Sequence, residues 1–197
     1  MSFLTSIFNK KHETPVPDES ADLILSAPVD GTAVPIEEVP DPVISEKVAG
    51  DGIAVIPEGA KIVAPCDGII SRMLVSSSAF AIKSDTTGLE IYVSYGIGTS
   101  AFTGEGFKAL KQPGDRAVRG EAVIELDLAA RSEKLKSTAV SMIVIRSSGD
   151  ISKVSSSRGR LEAGKTPCVW INLNQEKQKA ASASAAAPKN TTPASSP

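Results

Sequence analysis

Between Leu23 and Leu173 the chain is a succession of short β-prone runs broken by Gly, Pro and Asp: "LILS", "GIAVI", "KIVA", "GIISRML", "FAIKS", "EIYVSY", "AVIEL", "SMIVIRS" and "CVWINL". Runs of this length, regularly spaced and bounded by turn residues, argue for an all-β antiparallel sandwich or barrel. In "EIYVSY", Ile91, Val93 and Tyr95 alternate with Tyr92 and Ser94, the period of two expected when one strand face is buried and the other looks outward. An internal echo, "APVDGT" at 27–32 and "APCDGI" at 64–69, predicts a duplicated hairpin motif in which Pro presets the turn and Gly supplies a positive φ. One stretch resists the β reading: "DLAARSEKLKS" from Asp127 has an N-cap candidate, helix formers and no β-branched residue, and predicts one short helix.

The ends differ from this body, residues 23–174. Residues 175–197, "QEKQKAASASAAAPKNTTPASSP", hold no large apolar side chain to offset the entropy of ordering, and read as a disordered Ala/Ser/Pro-rich tail. Residues 1–12 place Phe3, Leu4, Ile7 and Phe8 at helical spacing, followed by Lys10 and Lys11 with no acid before Glu13. Two readings of this amphipathic, basic segment stand side by side: a weak, reversible contact of residues 1–11 with anionic lipid, or a frayed start. Residues 13–22, Pro-rich and acidic, link it to the body.

With 197 residues, 41% of them apolar, the chain can form one domain that buries roughly two thirds of its unfolded surface. A net charge of −2 and 4% aromatic residues leave no basic stripe or stacking platform, so nucleic acid is not an expected partner. Two cysteines far apart, Cys66 and Cys168, and no secretory segment point to reduced thiols in a cytoplasm. No window approaches the roughly 18 to 20 apolar residues of a membrane span.

The sequence is poor in catalytic chemistry. The one histidine, His12, lies before the body, and neither cysteine sits near another soft ligand, so no metal site and no Ser-His-Asp or Cys-His machinery is expected. "GIGTSAFTG" and "TGEGFKAL" lack the GxxxxGK[ST] pattern of a phosphate loop. "QPGDRAVRGEAVIELD" resembles the hairpin of biotinyl and lipoyl carrier domains without a lysine at its tip to take the cofactor. No cofactor is expected.

Longer stretches carry a fuller resemblance. "VPDPVISEKVAGDGIAVIPEGAKIVAPCDGIISRM", "SAFAIKSDTTGLEIYVSYGIGTSAFTGEGF", "PGDRAVRGEAVIELDL" and "EKLKSTA" resemble, in order and spacing, the glucose-type enzyme IIA domain of the bacterial phosphoenolpyruvate-dependent sugar phosphotransferase system. The likeness covers roughly residues 23–173. It implies a β-sandwich whose shallow apolar face docks the histidine carrier protein, the IIB domain of a sugar permease, and regulated targets such as other sugar permeases or glycerol kinase. It also implies a cytoplasmic location, with the N-terminal segment touching the inner face of the membrane.

The resemblance implies two histidines on that face, in an Asn-His-Ala-Phe run and a Phe-Val-His-Phe-Gly run. Here "SSAF" puts Ser78 at the supporting position and "YVSYG" puts Ser94 at the phosphoryl-accepting one. Gly98 stands where an aspartate is usual and Ala101 where a glutamate is frequent, while Ser76 keeps a hydroxyl at the neighbouring threonine position. A serine hydroxyl needs a base to become a nucleophile, and its phosphate ester is too stable to pass the group on. Val43, Ile44, Val48, Leu74, Phe80, Tyr92 and Tyr95 fall at the family's apolar partner-binding positions, with Phe80 and Tyr95 readable equally as core. Two functions follow: a regulator that binds partners without accepting phosphate, or a phosphocarrier still phosphorylated by the histidine carrier protein. A zinc peptidase on the related duplicated β fold fails for want of histidines.

Overall fold

The computed structural model describes residues 18, 20–97, 106–127, 135 and 137–174. Residues 1–12, most of the 13–22 linker, Gly98, Ala101, the helix expected after Asp127 and the 175–197 tail lie outside the described residues.

The strands in chain order are β1 Leu23–Ser26, β2 Gly31–Val34, β3 Gly50–Pro57, β4 Lys61–Val63, β5 Gly68–Met73, β6 Ala79–Ser84 and β7 Glu90–Ile97. They continue with β8 Phe107–Ala109, β9 Arg116–Ala117, β10 Ala122–Leu126, β11 Ser137–Ile145, β12 Ile151–Ser156, β13 Gly159–Leu161 and β14 Pro167–Leu173. All the pairings are antiparallel. An eight-stranded sheet runs β13-β2-β3-β11-β7-β6-β5-β9, and two three-stranded sheets run β1-β14-β12 and β4-β10-β8. This is the expected antiparallel β-sandwich. Alternation places the core: Ile91, Val93 and Tyr95 of β7 and Val140, Met142 and Val144 of β11 are at most 1% exposed and share one cluster. Each such side chain contributes about 1.5–3 kcal/mol by leaving water.

The internal echo is a structural repeat. The Ser26 amide donates to the Pro65 carbonyl (2.9 Å) and, reciprocally, the Val63 amide to the Pro28 carbonyl (2.8 Å). Asp30 Oδ1 accepts from the Ala163 amide and Asp67 Oδ1 from the Arg119 amide, each at 2.7 Å. The large sheet therefore consists of two like halves, β13-β2-β3-β11 and β9-β5-β6-β7, joined where β11 pairs with β7. One expectation is corrected. Gly31 and Gly68 do not have a positive φ; a Cβ there would sit 2.1 Å from the Ile56 carbonyl oxygen or 2.2 Å from that of Lys83, so close strand approach is what requires glycine. The halves also touch through Gly120 and Gly164, where a Cβ on Gly164 would lie 2.3 Å from the Gly120 Cα.

Candidate functional site

The connections within the two halves differ. Between β5 and β6 the chain turns tightly: the Leu74 amide bonds the Ala79 carbonyl (2.9 Å), the Ser77 amide bonds the Leu74 carbonyl (2.8 Å), and Ser77 takes φ 57°. Between β2 and β3, residues 35–49 form a strap across the outer face of the sheet. Its first part is a 3-10 turn, Ile36–Glu38, and Ile36 and Val39 are buried against Ala54 and Ile143.

The strap then makes one helical turn, α1 Pro42–Ser45. Asp41 caps it, Oδ1 accepting from the Val43 amide (2.9 Å) and less closely from that of Ile44 (3.4 Å), and Pro42 fits the first helical position because its missing N–H would have no partner there. The turn ends in a Schellman pattern, with the Val48 amide on the Val43 carbonyl (3.1 Å) and the Lys47 amide on the Ile44 carbonyl (3.0 Å). Lys47, at φ 57°, holds the left-handed position. Its ammonium lies 2.8 Å from Glu37 Oε1 and 3.0 Å from Asp51 Oδ2. Burial pulls the lysine pKa down, but those two hydrogen bonds outweigh it and raise it overall, and the same contact lowers that of Glu37.

Strap and sheet enclose a groove of about 580 Å³. Asp41, Val43, Ile44 and Ala49 form its strap side; Leu74, Ala81, Tyr92, Ser94, Gly96 and Ile143 are among its sheet side. Tyr92 and Ser94 point outward as the alternation predicts, and burial raises the Tyr92 pKa. Val43 is 54% exposed and Leu74 40%, and both line this depression, while Val48, 66% exposed, follows the strap's helical turn outside the lining. The open alternative for Phe80 and Tyr95 is corrected to core: they are 0% and 1% exposed, and Tyr95 packs edge-on to Phe107 with ring centroids 5.6 Å apart. Neither ring is available to a partner.

Ser94 lies on the groove floor, opposite Ala79 of β6 and Ser141 of β11. Ser78 is adjacent, its carbonyl accepting from the Tyr95 amide (2.9 Å), but its side chain is buried and shares a 2.8 Å hydrogen bond with Ser76 Oγ. Among the described residues neither Ser78 nor Ser94 is hydrogen-bonded to a carboxylate, imidazole or amine, and no group of three His, Cys, Asp or Glu side chains could hold a metal. The Ser141 hydroxyl is buried without a partner among the described residues. Arg72 is on the rim, its guanidinium 2.8 Å from Glu90.

Sequence reasoning missed Asp41, Arg72, Val75 and Ile143. The Asp41-Pro42 start signal could have found α1, and the alternation in "SMIVIRS" could have found Ile143. Val75, wholly exposed at the turn tip beside Leu74, gave no signal. Both cysteines are buried, and burial pushes the Cys66 thiol up to about 12.

Comparison with known proteins places this geometry. Residues 23–150 match the family model for the phosphoenolpyruvate-dependent sugar phosphotransferase system, EIIA 1. A glucose-specific EIIA component of Haemophilus influenzae is 39% identical over 166 residues, covering 84% of this chain and 96% of that protein. One from Borreliella burgdorferi is 38% identical over 144 residues, 73% of this chain and 75% of its own length. The solved glucose permease IIA from Mycoplasma capricolum superimposes with a TM-score of 0.68 at 26% identity, over 75% of this chain and 94% of that one. The chain belongs to the EIIA 1 family of the phosphoenolpyruvate-dependent sugar phosphotransferase system.

Proposed function

We propose that this protein is a glucose-type EIIA paralogue that docks the family's partners through the strap-and-sheet groove without accepting a phosphoryl group. The observation that carries the reading is the groove floor: a largely apolar depression with Ser94 in its lining and, among the described residues, no base bonded to that serine. Ser94 and Ser78 occupy the positions of the accepting and supporting histidines, and Ser76 keeps the neighbouring hydroxyl. Gly98, outside the described residues, stands where the family usually carries an aspartate. Val43, Ile44, Val48, Leu74 and Tyr92 supply the contact area, of the kind expected at a protein interface.

In this reading the histidine carrier protein and a permease IIB domain bind but exchange nothing. Targets that prefer an unphosphorylated surface, such as a sugar permease outside the phosphotransferase system or glycerol kinase, bind irrespective of sugar. A phosphohistidine would place about two negative charges in the apolar face and weaken such binding. Serine cannot make that switch through the relay. The protein works in the cytoplasm, with residues 1–11 giving weak contact to the membrane; among the described residues no helix is long and apolar enough to cross one.

The test supplies phosphoenolpyruvate, enzyme I and the histidine carrier protein. The wild-type chain should take up no acid-labile phosphoryl group, and Ser94→His with Ser78→His should gain partial acceptance. Stoichiometric, acid-labile labelling of the wild type would establish the phosphocarrier alternative instead. Ile44→Asp or Tyr92→Asp should abolish capture of glycerol kinase while leaving the melting temperature within a few degrees.

A further inference from the structure

The part of the strap that carries Val43, Ile44 and Val48 is held by little burial: Ile44 and Ala49 are only partly buried against the Ile36 and Val39 cluster, and Val43 and Val48 are exposed. The apolar anchors, Ile36 and Val39, lie upstream, and α1 has no buried residue. The Asp41 cap and the Schellman bonds shape the turn, and the groups around Lys47 add the polar contacts that tie it to the sheet. The last of these is unusual. The left-handed residue that ends a Schellman turn is normally glycine, because any side chain is strained there. Here it is Lys47, and the backbone bonds of the turn do not require its side chain.

What the side chain does is tie three elements together. Glu37 lies in the 3-10 turn at the start of the strap, Asp51 in β3 just after its end, and the Lys47 ammonium bridges them at 2.8 and 3.0 Å. Arg146, following β11, closes the knot by donating from Nη2 to the Lys47 carbonyl (3.2 Å) and from its amide to the Ala49 carbonyl (3.0 Å). Strain retained at one residue, together with a charge network that only that residue completes, marks a position held for the sake of its ammonium.

We infer that Lys47 is a positioning residue for the docking groove: its ammonium clamps the strap between Glu37 and Asp51, and so fixes the wall formed by Val43 and Ile44. The inference rests on the docking function proposed above. Because Glu37 is 56% exposed and Lys47 and Asp51 about a third, the clamp is accessible to salt and is screened by it. Partner affinity then depends on ionic strength through the shape of the groove.

The experiment separates backbone from charge in the full-length chain. Lys47→Gly relieves the left-handed strain and removes the ammonium; Lys47→Arg keeps a cation. Hydrogen exchange at the Ile44 to Val48 amides should quicken about fivefold in Lys47→Gly, the loss expected of two partly exposed ion pairs, while β7 and β11 amides do not change. The melting temperature should stay level or rise. Titration with unphosphorylated histidine carrier protein should show a similar loss of affinity in Lys47→Gly, near-native affinity in Lys47→Arg, and a shallower salt dependence in Lys47→Gly than in the wild type. Unchanged strap exchange in Lys47→Gly, or equal loosening in Lys47→Arg, would overturn the clamp. If the wild type binds no carrier at low salt, the docking function fails, and the exchange measurement still decides what Lys47 does to the strap.

Discussion

The two halves of the large sheet begin with the same turn, bridge to one another by reciprocal hydrogen bonds and place matching strands side by side, yet one outer face is covered and the other open. In the β2–β3 half, residues 35–49 lay Ile36 and Val39 over the sheet; in the β5–β6 half, a turn of a few residues leaves Tyr92 and Ser94 half-exposed. The register makes the contrast local. About the join of β11 and β7, Ser94 faces Ser141 and Tyr92 faces Ile143, so a residue on the open side has a near equivalent under or beside the strap. A repeat alone would give two equal faces. The unequal loop makes a groove with one wall from the strap and one from the sheet.

Substitutions can break this comparison where the halves meet. Gly164 has φ +71°, and a Cβ there would press against the Gly120 backbone, so Gly164→Ala should lower stability by about 3 kcal/mol or more. Gly114, φ +95° in open space, isolates the backbone component, and its change to Ala should cost only about 1–2 kcal/mol. Equal costs in urea unfolding would mean the join between halves is not tightly packed. A middle-sized effect tests the covering loops. Ile36→Ala should cost about 2–3 kcal/mol because it empties a buried site under the strap, whereas Val75→Ala, at the tip of the short turn, should stay within about 0.5 kcal/mol. The smallest effect concerns the facing serines. Ser141→Ala removes a buried hydroxyl without a partner and should be neutral or stabilising by up to about 1 kcal/mol, and Ser94→Ala should change stability little. A clear loss in Ser141→Ala would show that the hydroxyl has a partner.

Much of this was legible in the chain itself. The nine quoted runs all fall on strands, because alternating Ile, Val and Leu between turn residues admits little else. The strands without a signal, β2, β8, β9, β12 and β13, are short or carry Gly, Lys, Arg and Ser, and pairing rather than side-chain pattern makes them strands. The repeat was visible; the reason for its glycines was not, since close approach of a neighbouring carbonyl depends on tertiary pairing. For the site, alternation along β7 put Tyr95 on the face opposite Tyr92 and Ser94 but did not say which face is outward. It could not place Phe80 either, because every residue of β6 except Lys83 is buried. The strap's ion knot is likewise invisible to periodicity, joining residues 37, 47, 51 and 146 through space.

The first strand pairs with the last: Leu23 faces Ile171 across β1 and β14. The sheet β4-β10-β8 is complete once Leu126 has been made, but its counterpart β1-β14-β12 has to wait for the end of the body. At typical synthesis speeds of roughly 5–20 residues per second, the interval is about 2–9 seconds. During it Leu23 and Leu25 lack the strand that buries them, and β1 is an open edge emerging from the ribosome. Of two halves alike in their turns, one is closed as it is born, and the other is left as a newborn chain's longest exposure to wrong partners.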